Sequence, residues 1–260
     1  MEWRCAASAA HRPPLMTAAT QPETPMYEFA PDVFACITGR HCMFLDLPRD
    51  RYLSVPRNLM EALSPQISGW ALSDALPPSD KTSSAEVSQL ADDLIAAGIL
   101  RRIAQHSQSP QQPPVPPEHE IGSLLLPSTA VDVDRARMAI ITALASADWT
   151  LRCVPLPRII DRFTAPNTPN CSEPHNDNLR RAAALTRQFL ALRPWYPRDY
   201  LCLFDSLALL LLLLRRGIRA RWIFGVKEDP FAAHCWLQIG TVVLNEHLDR
   251  TRLYSPIMMV

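Results

Sequence analysis

The 260-residue chain carries 26 basic and 26 acidic side chains and is 48% hydrophobic. It can bury one large core or two small ones, and it lacks the strong field of one sign that draws proteins to nucleic acid or anionic membranes. Its seven cysteines are irregularly spaced and no signal-like apolar run stands in the first twenty residues, which predicts reduced thiols in a cytoplasmic protein without a membrane insertion.

Residues 1–25, rich in Ala, Pro and Thr, read as a disordered tail, with Met26 a candidate start. A front domain, 26–103, follows. In it Asp32–Thr38, His41–Asp46 and Tyr52–Val55 are short apolar runs separated by a Gly39-Arg40 turn and a second turn at Pro48–Asp50, the pattern of a small antiparallel meander. Helices come next. Pro56 can open one through Leu59, Met60 and Leu63, while Ser83 and Glu86 form a capping box ahead of Val87, Leu90, Leu94 and Ile95, which Gly98 ends.

Residues 104–123 contain the run SQSPQQPPVPP, which has little to bury and favours extended polyproline conformations, so they are read as a linker. The rear domain, 124–260, opens with helical patterns at Val131–Ala147, Leu156–Phe163 and Asn178–Leu192. Leu207–Leu214, closed by Arg215 and Arg216, is the greasiest run. It is far shorter than the ~20 residues that cross a bilayer and reads as a buried helix starting near Asp199–Leu201 and ending at Gly217.

Cys202 then falls in the first turn of that helix. Unpaired backbone N–H groups and the positive end of the helix dipole favour a thiolate there, although free cysteines are commonly inert core residues. Arg219–Val226, Ala232–Ile239 and Val242–Glu246 read as three antiparallel strands. On the second, His234, Trp236 and Gln238 share one face, with Cys235, Leu237 and Ile239 on the other. A cysteine at a helix start, a histidine on a strand and a carboxylate on the next strand follow the order of papain-like and transglutaminase-like folds. The fold class expected is therefore α+β, a winged-helix-like domain followed by a papain- or transglutaminase-like domain with an antiparallel sheet.

The segments CLFDSLAL, RRG, GV before PFAAHCW, and LNE resemble the B-type lasso-peptide leader peptidases. The front meander with helices resembles, in pattern only, the PqqD-like leader-recognition domain of peptide-modifying systems; a DNA-binding winged helix would have the same outline but would call for a basic surface. The family resemblance implies a thiol protease of antibiotic biosynthesis that removes the leader of a lasso precursor before macrolactam closure. It assigns Cys202 as nucleophile, His234 as base and Glu246 as third member, where aspartate is usual. Asn245 is the alternative. A two-residue loop at Gly240-Thr241 would put Asn245 on the His234 face, whereas a three-residue loop or a bulge would pair Trp236 with Glu246 and bring its carboxylate to that face; the second arrangement is expected because the family's carboxylate needs it. Substrate binding is expected on the front domain, at the edge Tyr52, Leu53, Ser54 and Val55, with Leu90 and Leu94 as an apolar pocket. The partners implied are the precursor's leader and an asparagine-synthetase-like cyclase. No cofactor is expected: no phosphate-binding loop is visible, and a zinc site from His234, Cys235 and His247 is disfavoured because adjacent strand residues point apart. An acyl transferase of the same fold and a non-catalytic scaffold that delivers the precursor are the alternative functions.

Overall fold

The computed structural model describes residues 26–70, 83–103, 116–123, 133–164 and 176–260; the expected tail, 1–25, and the SQSPQQPPV stretch of the expected linker lie outside them. The front part runs β1 (Tyr27–Phe29), β2 (Val33–Ile37), β3 (His41–Asp46), β4 (Arg51–Pro56), α1 (Arg57–Leu63), α2 (Ser84–Ala96) and β5 (Leu100–Arg102). Strands β2, β3 and β4 form the antiparallel meander read from the sequence, with Phe44 opposite Ala35 on one side and Leu53 on the other. The Pro48–Asp50 turn is a short 3-10 helix from Leu47 to Arg49, closed by Asp50 in the left-handed region at φ 48°. The capping box of α2 is complete: Ser83 Oγ accepts from the Glu86 N–H at 3.3 Å and Glu86 accepts from the Ser83 N–H at 2.9 Å.

The rear part continues with β6 (His119–Glu120), α3 (Val133–Cys153), α4 (Leu156–Thr164), α5 (Asn176–Leu192), α6 (Cys202–Arg215), β7 (Arg221–Lys227), β8 (Ala232–Ile239), β9 (Val242–Val243), α7 (Leu248–Thr251) and β10 (Ser255–Met259). Its five-stranded sheet has the order β10-β7-β8-β9-β6 and is antiparallel except between β9 and β6. The chain is thus mixed helix and sheet with antiparallel pairing, as the fold class requires. His119 and Glu120, read from sequence as the end of the linker, pair with Val242 and Val243, and Ile121 behind them is buried in the rear core.

Strand β3 explains how the two parts meet. Its alternate residues Cys42 and Phe44 pack with Met60, Leu63 and Leu94 in the front core, whereas Met43 and Leu45 join the core that holds α6. A strand buried on both faces needs a continuous apolar run rather than an alternating one, and CMFL supplies it. Around its edge Glu228, in the turn after β7, accepts from Arg40 N at 3.1 Å and Thr38 Oγ1 at 3.2 Å and pairs with His41. These contacts seat the Gly39-Arg40 turn against the rear sheet.

Helix α6 lies between α3 and β8 and buries Phe204, Ser206, Leu207, Ala208, Leu209, Leu210, Leu212 and Leu213. Apolar side chains all round a helix mark a central one. Leu209→Ala, at a fully buried position, should lower stability by ~2–5 kcal/mol, measured as a shift of the urea unfolding midpoint at unchanged slope.

Candidate active site

Helix α6 begins at Cys202, one residue later than the range read from the sequence, and Gly217 ends it in the left-handed region at φ 70°. Leu201 is its N-cap and gives no capping side chain, so the first-turn N–H groups keep their electropositive character. The Cys202 thiol lines the same cleft as Cys235 and the His234 imidazole, and both act on its ionisation. The hydrogen bond to Cys235 and the contact and charge of His234 together outweigh burial and hold this thiol well below the usual range.

His234 comes from β8. Its Nε2 stands 2.7 Å from Glu246 Oε2, which leaves Nδ1 as the ring nitrogen available to the sulfur. Burial opposes a charged ring, but the hydrogen bonds to Cys202 and Glu246 and their charges prevail and push the imidazole up to about 9. Glu246 is also partly buried, which works against ionisation; His234, the His247 N–H at 2.9 Å and the Arg250 guanidinium at 3.5 Å reverse that and keep its pKa below the carboxylate norm.

The structure therefore brings Cys202, His234 and Glu246 together, but by a different route from the one expected. The hairpin loop does hold two residues, since Ile239 pairs with Val242 and Gln238 with Val243, so the expected three-residue loop or bulge is corrected. Regular pairing stops soon afterwards. Leu244 N still donates to Leu237 O at 2.9 Å, and Asn245 Oδ1 then accepts from Leu237 N at 2.8 Å, a side chain standing in for the next strand carbonyl. With β9 ended, the chain bends through 244–246 and Glu246 turns back to the histidine. Asn245 is not its orienting partner: its Nδ2 donates to Ser206 Oγ at 3.0 Å, and Ser206 Oγ donates to Cys235 O at 3.3 Å. The alternative third member is a tie between the hairpin and α6.

The three groups line a cleft of about 190 Å³ that also includes Phe189, Tyr200, Asp205 and Arg250. A helix-borne sulfur in one cleft with a strand-borne imidazole, itself braced by a carboxylate, is an arrangement with the groups that thiol acyl transfer needs. Residues 141–259 match the family model described as Transglutaminase-like superfamily. They form a transglutaminase-like domain. No curated protein and no solved structure matches the chain.

Several features of this transglutaminase-like domain escaped sequence reasoning. Gly225, opposite His234 in β7, leaves the space where a Cβ would come within 2.9 Å of both Trp236 and the Tyr254 Cβ, and those two rings flank the imidazole at 6.2 and 5.2 Å. Tyr254 follows α7, and neither α7 nor β10 was foreseen. Arg193, in the turn after α5, is buried beneath the cleft. The GV pair did single out Gly225 in sequence, without its reason.

Of the front-domain residues, Tyr52, Leu53 and Ser54 line a groove with His41, Met43, Glu228 and Phe231. Tyr52 packs edge-on against Phe231 at 5.4 Å and lies close enough to Cys235 and Cys202 for their charges to act on its phenol. Val55 is buried. Leu94 is likewise buried in the front core and Leu90 is packed against that core, so the apolar pocket expected from this pair is corrected: both spend their apolar surface on the inside of α2.

Selective thiol chemistry follows from these surroundings. Burial pushes Cys36 up to about 12, and raises Cys42 and Cys235 as well. At about pH 6, iodoacetamide should label Cys202 well before the exposed Cys153, as read from peptide masses; equal labelling would show that Cys202 is not activated.

Proposed function

We propose that this chain is a cysteine peptidase that removes the leader from a lasso-peptide precursor. The observation that carries the reading is one cleft that holds Cys202 at an uncapped helix tip together with His234 and Glu246, the last two paired at 2.7 Å. The transglutaminase-like superfamily includes both cysteine peptidases and acyl transferases; the likeness of CLFDSLAL, PFAAHCW and LNE to leader peptidases selects the first.

In this reading the Cys202 thiolate attacks the scissile carbonyl. The oxyanion that forms takes a hydrogen bond from the Cys202 backbone N–H, which has no partner in the first turn of a helix. The His234 imidazolium gives its proton to the departing amine, and the leader stays on sulfur as a thioester. His234 next takes a proton from water, hydroxide adds to the thioester, and the leader leaves as a carboxylic acid while the thiolate is restored. Glu246 holds Nε2, so that Nδ1 is the nitrogen that handles each proton. The freed amine is the group that a partner cyclase of the asparagine-synthetase-like kind would join into the macrolactam.

The front domain serves as a PqqD-like recognition unit. Among the described residues the outer edge of β4 has no strand beside it, and an extended leader can add there as a fourth strand. Tyr52, on β4, lines the groove beside this edge and is within electrostatic reach of Cys202. No described helix is long and apolar enough to cross a membrane.

Purified protein incubated with the precursor encoded beside it should release a leader with a new C-terminal carboxylate and a core peptide with a free amine, both read by mass; a leader joined to an added amine instead would mark an acyl transferase. Cys202→Ala should lose roughly 10⁴–10⁶ in rate and Glu246→Gln less. Retained cleavage by Cys202→Ala would refute the assignment. The sign of the pH dependence follows from the two shifts. The sulfur ionises well below the usual thiol range and the imidazole keeps its proton up to about 9, so kcat/KM should hold steady between these limits and fall as pH rises through about 9.

A further inference from the structure

The approach to the nucleophile is organised by one side chain. Arg193 is 1% exposed, and its guanidinium spreads beneath the turn that leads into α6. Nε donates to Asp205 Oδ1, Nη1 to the carbonyls of Arg198 at 3.0 Å and Tyr196 at 3.4 Å, and Nη2 to the carbonyl of Asp199 at 2.7 Å. Its plane also lies 4.5 Å from the Tyr200 ring and 5.1 Å from the Phe204 ring. Every one of these partners belongs to the segment 196–205 that carries Cys202.

The arrangement answers two physical difficulties. A helix start is ordinarily fixed by a capping side chain that occupies first-turn N–H groups, yet those groups are the donors that a thiolate and an oxyanion need. Asp205 adds a second difficulty, because a carboxylate less than one turn beyond the nucleophile repels negative charge on the sulfur, and it is close enough for the two to act on each other. An arginine fork meets both, since it gathers several carbonyls and a carboxylate in one plane.

We propose that Arg193 is the positioning residue for Cys202: by binding the carbonyls of Tyr196, Arg198 and Asp199 it sets the helix tip in place of a cap, and by pairing with Asp205 it neutralises a carboxylate that opposes a thiolate there. The proposal rests on the peptidase reading of this site. The other titratable groups of the cleft are His234 and Cys235 from β8, Tyr200, Glu246 and Arg250, and Tyr52 of β4 is within electrostatic reach of the sulfur.

The test is the pH dependence of iodoacetamide alkylation at Cys202, read by peptide mass, in the full chain and in Arg193→Gln, Asp205→Asn and the double variant, each checked for cooperative melting. Arg193→Gln should move the alkylation midpoint up by about one pH unit or more, as an unpaired carboxylate beside a titrating group does. Asp205→Asn leaves the cation alone and should move it down. The double variant should return close to the parent midpoint yet keep a low kcat with little change in KM, because the turn is no longer gathered; Arg193→Lys should not rescue kcat, since an ammonium cannot span the same carbonyls. Unmoved midpoints in both single variants, or a double variant with the parent kcat, would overturn the proposal. Should Arg193→Gln fail to fold, Asp205→Asn decides alone, and an unmoved midpoint there overturns it. Alkylation needs no substrate, so the expected shifts in a protein that leaves the precursor uncut would uphold the clamp and retire the peptidase reading.

Discussion

Helix α6 is packed in along nearly its whole length, and a helix so held can offer chemistry only at its end. Its apolar residues fix its axis against α3 and β8, so the position of Cys202 relative to His234 is set by core packing rather than by a surface loop. Close-packed interiors resist displacement, and a shift of even one methylene is felt. The geometry around Cys202 is thus supported by the same contacts that hold the rear core together.

On that scaffold the charges are layered. The sulfur gains from Cys235 and the imidazole, the imidazole gains from sulfur and Glu246, and Glu246 gains from His234, the His247 N–H and Arg250. Each group stabilises the ionised form of the next despite partial burial. Below them buried Arg193 pairs with half-buried Asp205 at the wall of the cleft. Asn245 and Ser206 tie the hairpin to the helix, which keeps β8 and α6 from sliding past one another.

Local chemistry made much of this legible in the sequence. The meander was readable because turn residues separate its runs, α2 because a capping box announces it, and α6 because eight apolar residues end in two arginines and a glycine. Spacing alone could not supply the register of the last hairpin. An even loop and an odd loop predict opposite faces, and the actual solution, an even loop followed by a bend at 244–246, depends on Asn245 capturing the Leu237 N–H. The family resemblance pointed to the carboxylate that meets His234 in the structure, where strand spacing alone left Glu246 and Asn245 open. β6 and β10 are short or proline-containing and exist through their partners, and Arg193 looks like any surface arginine until the chain folds over it. Leu94 shows the opposite failure: helical spacing marked it, and the front core absorbed it.

The central claim is that a Cys202 thiolate and a His234 imidazolium stand as a pair, and NMR titration of the His234 ring addresses it most directly, in the parent chain and in Cys202→Ala. The imidazole should keep its proton up to about 9 in the parent and titrate at clearly lower pH once the sulfur is gone. A ring that loses its proton near the ordinary histidine value of about 6.5 in both proteins would contradict it.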